Sequence, residues 1–220
     1  MAPRFIARQL SHPEGFAGRF VGFLMNRHNA KMNAFALRVL DPWPSDRVLE
    51  IGFGGGVTLG PLVKSGAYVA GVDRSRTMVG RANAKFTRAV KAGRAEFREG
   101  EVECLPFEPA SFSKVVTVNT VYFWLSLESG FSEIHRVLAP GGHLVLGFLP
   151  KERMDRMNMP ADIFTTRAPD EVTVALTAAG FKDIRVERPT PTTAWNVIVA
   201  VKRDGDLRHG SRKNNEHAIA

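Results

Sequence analysis

Residues 47–64, RVLEIGFGGGVTLGPLVK, narrow the choice of folds more than any other stretch of the chain. Arg47–Gly52 reads as a buried strand, glycines then crowd positions 52–56, and a helical pattern runs from about Val57 to Lys64. A strand, a tight turn and a helix in that order are the opening of a βαβ unit, whose strands lie parallel because the helix carries the chain back across the sheet. Glycine opens backbone conformations closed to other residues and leaves no Cβ between the main chain and a ligand. In an open parallel sheet, ligands gather at the carboxyl ends of the strands, where the strand order reverses.

The rest of the chain continues the alternation. Tyr68–Asp73 is the second expected strand, and a long helix follows from Ser75, its N-cap, to about Lys91. Ala95–Arg98 is a short third strand; Lys114–Asn119, rich in β-branched residues, has the pattern of a strand covered on both faces. Leu127, Phe131, Ile134 and Leu138 fall on one face of a helix that Ala139-Pro140-Gly141-Gly142 should end. His143–Leu149 is the fifth strand, and Asp170–Ala179 a helix with Gly180 as its C-cap. Asp183–Arg188 and Ala194–Lys202, joined by Pro189–Thr193, are close enough for an antiparallel hairpin. The expected fold is α/β: a Rossmann-like, seven-stranded, mostly parallel sheet closed by a C-terminal antiparallel hairpin. Residues 43–203 form that domain, residues 1–42 a helical segment before it, and the aperiodic, polar residues 204–220 a disordered tail.

Composition excludes several classes. No apolar run reaches the roughly 18 residues of a membrane span, and the first ten residues lack a signal-peptide core. One cysteine, Cys104, allows no internal disulfide and no multi-cysteine metal site, so no metal is expected and a cytoplasmic setting is. The net charge of +8 gathers at the front, where Arg4, Arg8, Arg19, Arg27, Lys31 and Arg38 face only Glu14. Without a compact basic block or interleaved aromatics it reads as a solvated basic face, and nucleic acid is not an expected partner.

Two cofactor classes use a glycine turn of this kind. The dinucleotide fingerprint G-x-G-x-x-G would place its third glycine at position 57, which holds valine. The pattern present is Glu50-x-Gly52-x-Gly54-x-Gly56. Asp73, at the end of the second strand, is placed to accept hydrogen bonds from ribose hydroxyls or to cap the helix after it; the two roles are compatible. Beyond the third strand stands Gly100-Glu101-Val102-Glu103-Cys104-Leu105-Pro106-Phe107, and further on Phe112-Ser113-Lys114-Val115-Val116 and Arg136-Val137-Leu138-Ala139-Pro140-Gly141-Gly142. Together these segments resemble the class I S-adenosylmethionine-dependent methyltransferases, in particular the subgroup of ubiquinone and menaquinone C-methyltransferases, over residues 47–148.

That resemblance implies S-adenosylmethionine as cofactor, bound by Glu50, Gly52, Gly54, Gly56, Asp73 and the adjacent Arg74. Glu101 takes the position that meets the adenine amino group, with Val102 beside it; the usual residues there are Asp and Ala. Asn119, after the fourth strand, is expected at the methionine portion. Phe23, Tyr122 and Trp124 are candidates for an acceptor pocket. No general base declares itself; His28 and Tyr122 are the candidates.

The front segment Gly15–Met25 is apolar with flanking Arg19 and Arg27, which suits a lid over the acceptor or a helix lying on an anionic membrane surface. Its three glycines weaken an isolated helix by about 1 kcal/mol each, favouring the packed lid, with peripheral membrane contact as an addition. The expected activity is methyl transfer to a small, hydrophobic, quinone-like or lipid-like acceptor. The alternatives are an RNA or protein methyltransferase, suggested by the charge, and a cofactor-binding scaffold without catalysis.

Overall fold

The computed structural model describes residues 30–157 and 160–203. Seven strands form one sheet: β1 (Arg47–Ile51), β2 (Tyr68–Asp73), β3 (Ala95–Glu99), β4 (Phe112–Val118), β5 (Leu138–Phe148), β6 (Lys182–Glu187) and β7 (Asn196–Val201). Their order is β3-β2-β1-β4-β5-β7-β6, and only β7 runs against its neighbours. Right-handed crossovers are the rule for parallel strands, so a chain that builds outward from β1 in one direction and returns to build in the other reverses between β1 and β4. The carboxyl ends of those two strands are therefore the switch point.

Helices cover both faces. On one side lie α1 (residues 30–40), α2 (Leu59–Lys64), α3 (Arg76–Lys85) and α4 (Thr87–Lys91), over a core containing Leu40, Val48, Val69, Val116 and Val145. On the other lie α5 (Leu127–Val137), α6 (Lys151–Arg156) and α7 (Pro169–Ala178), over a core of Leu49, Val115, Phe131, Ile134, Leu144 and Leu176. Alternate residues of β1, Val48 and Leu49, thus face opposite cores, which is why the strand is apolar throughout.

Several elements depart from the sequence expectation. The helix expected over 75–91 is broken at Phe86, between α3 and α4. Thr87 sends its hydroxyl back to the carbonyls of Asn83 and Ala84, a bond that competes with the helical ladder, while the Phe86 ring turns toward Phe97, 5.7 Å between centroids. Leu138 does not close the helical stripe; α5 ends at Val137, itself buried, and Leu138 already pairs with Phe112. The Pro140-Gly141-Gly142 stretch bulges within β5, held by Gly141 N–H to Lys202 O and Lys202 N–H to Gly142 O. Helix α6 had no sequence signal.

The segment 1–42 was expected as a helical lid. Residues 30–40 are instead a layer of the fold: Met32, Phe35, Ala36 and Leu40, on one helical face, are buried, with Phe35 edge-on to Trp195 at 5.4 Å. Residues 1–29, with Phe23 and His28, and residues 204–220, read as a disordered tail, lie outside the described residues.

Candidate functional site

The turn after β1 is built on left-handed backbone. Gly52, Gly54 and Gly56 have φ of +68°, +48° and +66°, a region where L side chains are strained. Gly52 has a second reason to lack a side chain, since a Cβ there would stand 2.4 Å from Thr120 Cγ2. Gly54 has nothing within 4 Å of such a Cβ and lines open space. Between them Phe53 folds back onto β2, where Gly71 leaves room for its ring and that of Phe97, edge to face at 5.7 Å. The turn is pinned by an aromatic anchor while its backbone stays bare.

The tips of β1 to β4 enclose a cavity of about 200 Å³ beside this turn. Gly52 and Gly54 contribute from β1, Asp73 and Arg74 from β2, Glu101 and Val102 from beyond β3, Asn119 and Thr120 from β4. Phe123, Trp124 and Leu125 complete the wall on the far side. Asp73 is buried and aimed at the turn: one carboxylate oxygen accepts from Gly54 N–H at 2.7 Å, the other from Ser75 N–H at 2.9 Å. The cap of α3 is Ser75, whose side chain accepts from Met78 N–H and whose own N–H is held by Asp73. Glu101 is exposed on the rim, and Glu103 beside it accepts from Leu125 N–H at 2.8 Å, tying the segment after β3 to the segment after β4.

Glu50 lies behind the turn rather than in the cavity wall. Thr58, the N-cap of α2, donates its hydroxyl to Glu50 Oε1; Oε2 is buried without a hydrogen bond. Burial pushes this carboxyl up to about 8, Thr58 acting against the rise and the Asp73 charge adding to it.

Asn119 stands at the tip of β4 with φ +59°, a conformation asparagine tolerates better than most residues, and its N–H is held by Gly147 O at 2.8 Å. Its side-chain oxygen lies 3.2 Å from the Tyr122 hydroxyl. Tyr122 was a candidate for both the acceptor pocket and the base, and the fold places it elsewhere. It is buried outside the cavity wall, its hydroxyl accepting from Leu149 N–H at 2.5 Å and lying 3.2 Å from Leu149 O. Burial raises its hydroxyl well above the ordinary phenol range, with the Leu149 N–H working against the rise. Trp124 lines the cavity and packs on Phe131 at 5.1 Å. Phe123 lines the cavity, with the Arg74 guanidinium 5.9 Å from its ring centre. Arg74 Nε is buried without a hydrogen bond. Sequence reasoning passed over Phe53, Thr58 and Glu103. For Thr58 a signal existed, a hydroxyl just ahead of the helix that follows an apolar strand's lone acid.

A methyltransferase-domain family matches residues 49–146, the strand, turn and helix units that make the site. Among curated proteins, the uncharacterized methyltransferase YdaC of Bacillus subtilis is 28% identical over 83% of this chain and 97% of its own length. The ubiquinone/menaquinone biosynthesis C-methyltransferase of Geotalea daltonii is 26% identical over 60% of this chain and 56% of its own. A sterol 24-C-methyltransferase of Gibberella zeae is 35% identical, but the chain spans only 26% of it. Among solved structures, the complex of the Haloferax volcanii Trm112 methyltransferase activator with a methyltransferase superposes at a TM-score of 0.72, with 21% identity, 92% of this chain and 99% of that one covered. An S-adenosylmethionine-dependent methyltransferase from Thermotoga maritima gives 0.64, 24%, 82% and 93% in the same terms.

A parallel sheet with its switch point at β1 and β4, a bare glycine turn there, and a methyltransferase-domain match over residues 49–146 mark the chain as an S-adenosylmethionine-dependent methyltransferase. Within that class its relatives include the ubiquinone/menaquinone C-methyltransferases, and S-adenosylmethionine is its cofactor. The residues present suit the group. A Cβ at Gly54 would project into open space, so the turn offers main chain to a ligand. Two carboxylates, Asp73 and Glu101, stand on adjacent strand tips around the cavity, and Glu50, with one oxygen unpartnered, lies behind the turn.

Proposed function

We propose that this chain transfers the methyl group of S-adenosylmethionine to a small, largely apolar acceptor, quinone-like or lipid-like. The observation that carries the reading is the make-up of the cavity wall: polar main chain and Asp73 at the strand tips, with Phe123, Trp124 and Leu125 following β4 and Leu125 86% exposed at the rim. An apolar rim beside a polar cradle suits a ligand whose reacting end is flat and hydrophobic. The relatives named for quinone and sterol methylation point the same way.

In this reading Asp73 accepts from the ribose hydroxyls, Glu101 from the adenine amino group, and Val102 packs on the base. Gly52, Gly54 and Gly56 hold the methionine portion along the turn, with Glu50 behind and Asn119 across. Arg74 closes the cavity toward Phe123. Bound there, the cofactor supplies an electrophilic methyl on a positively charged sulfur. The chain's own part is alignment and exclusion of water: an in-line displacement is accelerated when nucleophile and carbon are held near contact distance. In this reading Tyr122 contributes by fixing the β4 tip to the end of β5 rather than as a base. Residues 1–29 are proposed to supply the lid, and Phe23 and His28 within them are the candidates for contact with the acceptor. Met32 places the start of α1 against Gly147, near the carboxyl ends of β4 and β5. No helix among the described residues is long and apolar enough to cross a membrane. Contact with a membrane surface would come from the apolar front segment alone.

The test is to incubate the full chain with methyl-labelled S-adenosylmethionine and a cell extract, then separate organic-phase lipids from RNA and protein. Label in the organic phase is expected. Label confined to RNA or protein would replace the acceptor class, and no label in any fraction would leave a binding scaffold.

A further inference from the structure

One acidic group at the site is in the wrong place for an ordinary carboxylate. Glu50 sits on β1, level with Gly71 of β2 and Val116 of β4, neither of which can pair with it. Its Oε1 takes the Thr58 hydroxyl, and Oε2 is closed off from solvent with no partner. Ionised in that setting, it would keep a full negative charge in a low-dielectric interior with half its acceptor capacity unused. The charged group that acts on it among the described residues is Asp73, which has the same sign and already accepts from Gly54 and Ser75. Burial first, then Asp73, holds the acid in its protonated form well into the neutral range, up to about 8.

We propose that Glu50 is a proton reservoir coupled to the cofactor cradle: it loses its proton to solvent when the α-ammonium group of the cofactor's methionine arm settles beside the glycine turn. The inference rests on the S-adenosylmethionine reading of the cavity. The acid's O–H bond breaks, the proton passes to buffer, and the carboxylate that remains faces a nearby positive charge. The two buried acids then play different parts. Asp73 is tied down by two N–H donors whatever the ligand, while Glu50, with one hydroxyl partner, is the acid whose charge state a ligand can change. By linkage, affinity rises with pH as long as the free protein holds the proton, about tenfold per pH unit between 6 and 7, and levels off near 8.

The experiment is calorimetric titration of the full chain with S-adenosylhomocysteine at pH 6.5, in two buffers of different protonation enthalpy. At that pH an α-amino group, with an ordinary pKa of about 8, carries its charge. The expected result is release of roughly one proton per ligand bound, and loss of that release in Glu50→Gln. A heat independent of buffer in the unmodified chain would overturn the proposal, as would a release that survives in Glu50→Gln. Should Glu50→Gln fail to fold, the pH series of the unmodified chain decides: affinity flat between pH 6 and 8 overturns the coupling. Absence of any binding would instead overturn the cofactor reading on which the coupling depends.

Discussion

Gly52 shows how much one missing atom can determine. Its φ of +68° and the 2.4 Å that would separate a Cβ from Thr120 Cγ2 mean that alanine there must shift either the turn or the β4 tip. Gly52→Ala is expected to lower stability by about 1–3 kcal/mol and to weaken binding of S-adenosylhomocysteine at least tenfold, read by thermal melting and calorimetry. Gly80, a helical glycine whose added Cβ would meet nothing within 4 Å, serves as control: Gly80→Ala should leave binding unchanged. Glu50 gives a second prediction, in stability. Its carboxyl is raised from 4.5 in the unfolded reference to about 8 in the fold, so between those values the folded state holds a proton that the unfolded state has lost. Stability from this group is therefore complete below about pH 4.5 and lost as pH rises toward 8. Glu50→Gln, which cannot ionise, should gain on the unmodified chain as pH is raised from 5 to 8.5, and a melting difference that stays constant over that range would contradict the assignment.

At the level of elements, the segment after β3 is held in place mainly by one arginine of α5. Arg136 donates to the carbonyls of Phe107 at 2.8 Å and Leu105 at 3.0 Å, and pairs with Glu133, whose other oxygen takes Leu105 N–H at 2.9 Å. Arg136 holds the Glu133 carboxyl below its usual range, against the pull of burial. This is the physical content of the link between the Leu105-Pro106-Phe107 turn and the arginine ahead of Pro140-Gly141-Gly142. Arg136→Ala removes the side-chain donor to the Phe107 carbonyl, one of two donors to the Leu105 carbonyl and the cation paired with Glu133, and is expected to cost about 2–4 kcal/mol in chemical denaturation. Arg136→Lys, which cannot reproduce the fork, should recover less than half of that loss.

The same elements show what can be read from sequence and what cannot. Arg47–Ile51 and Tyr68–Asp73 are apolar runs bounded by turn residues, and their burial on both faces is written in their composition. The glycine turn and Asp73 were legible for the same reason, because backbone freedom and a strand-end carboxylate are local properties. The break at Phe86 was hidden, since it depends on a threonine hydroxyl choosing the backbone behind it. The early start of β5 was hidden too: Gly141 and Gly142 become strand by pairing with Lys202, some sixty residues on, and no local period announces that. Tyr122 looked like a site residue because of its position after β4; only its bonds to Leu149 show that it faces inward.

For the whole molecule, the sheet order and the site are one fact. Reversal between β1 and β4 leaves their carboxyl ends uncovered by crossover helices, and the Glu50-to-Gly56 turn, Asp73, Glu101 and Asn119 arrive there from four different strands. Nothing in the stability of the fold requires a left-handed glycine turn beside an open cavity of about 200 Å³; the arrangement makes sense as a site. A structure of the full chain with S-adenosylhomocysteine bound measures this directly. Ribose oxygens are expected within hydrogen-bonding distance of Asp73, the adenine amino group at Glu101, and the sulfur between the glycine turn and Asn119. A nucleoside bound elsewhere, or Asp73 making no contact with it, would contradict the account.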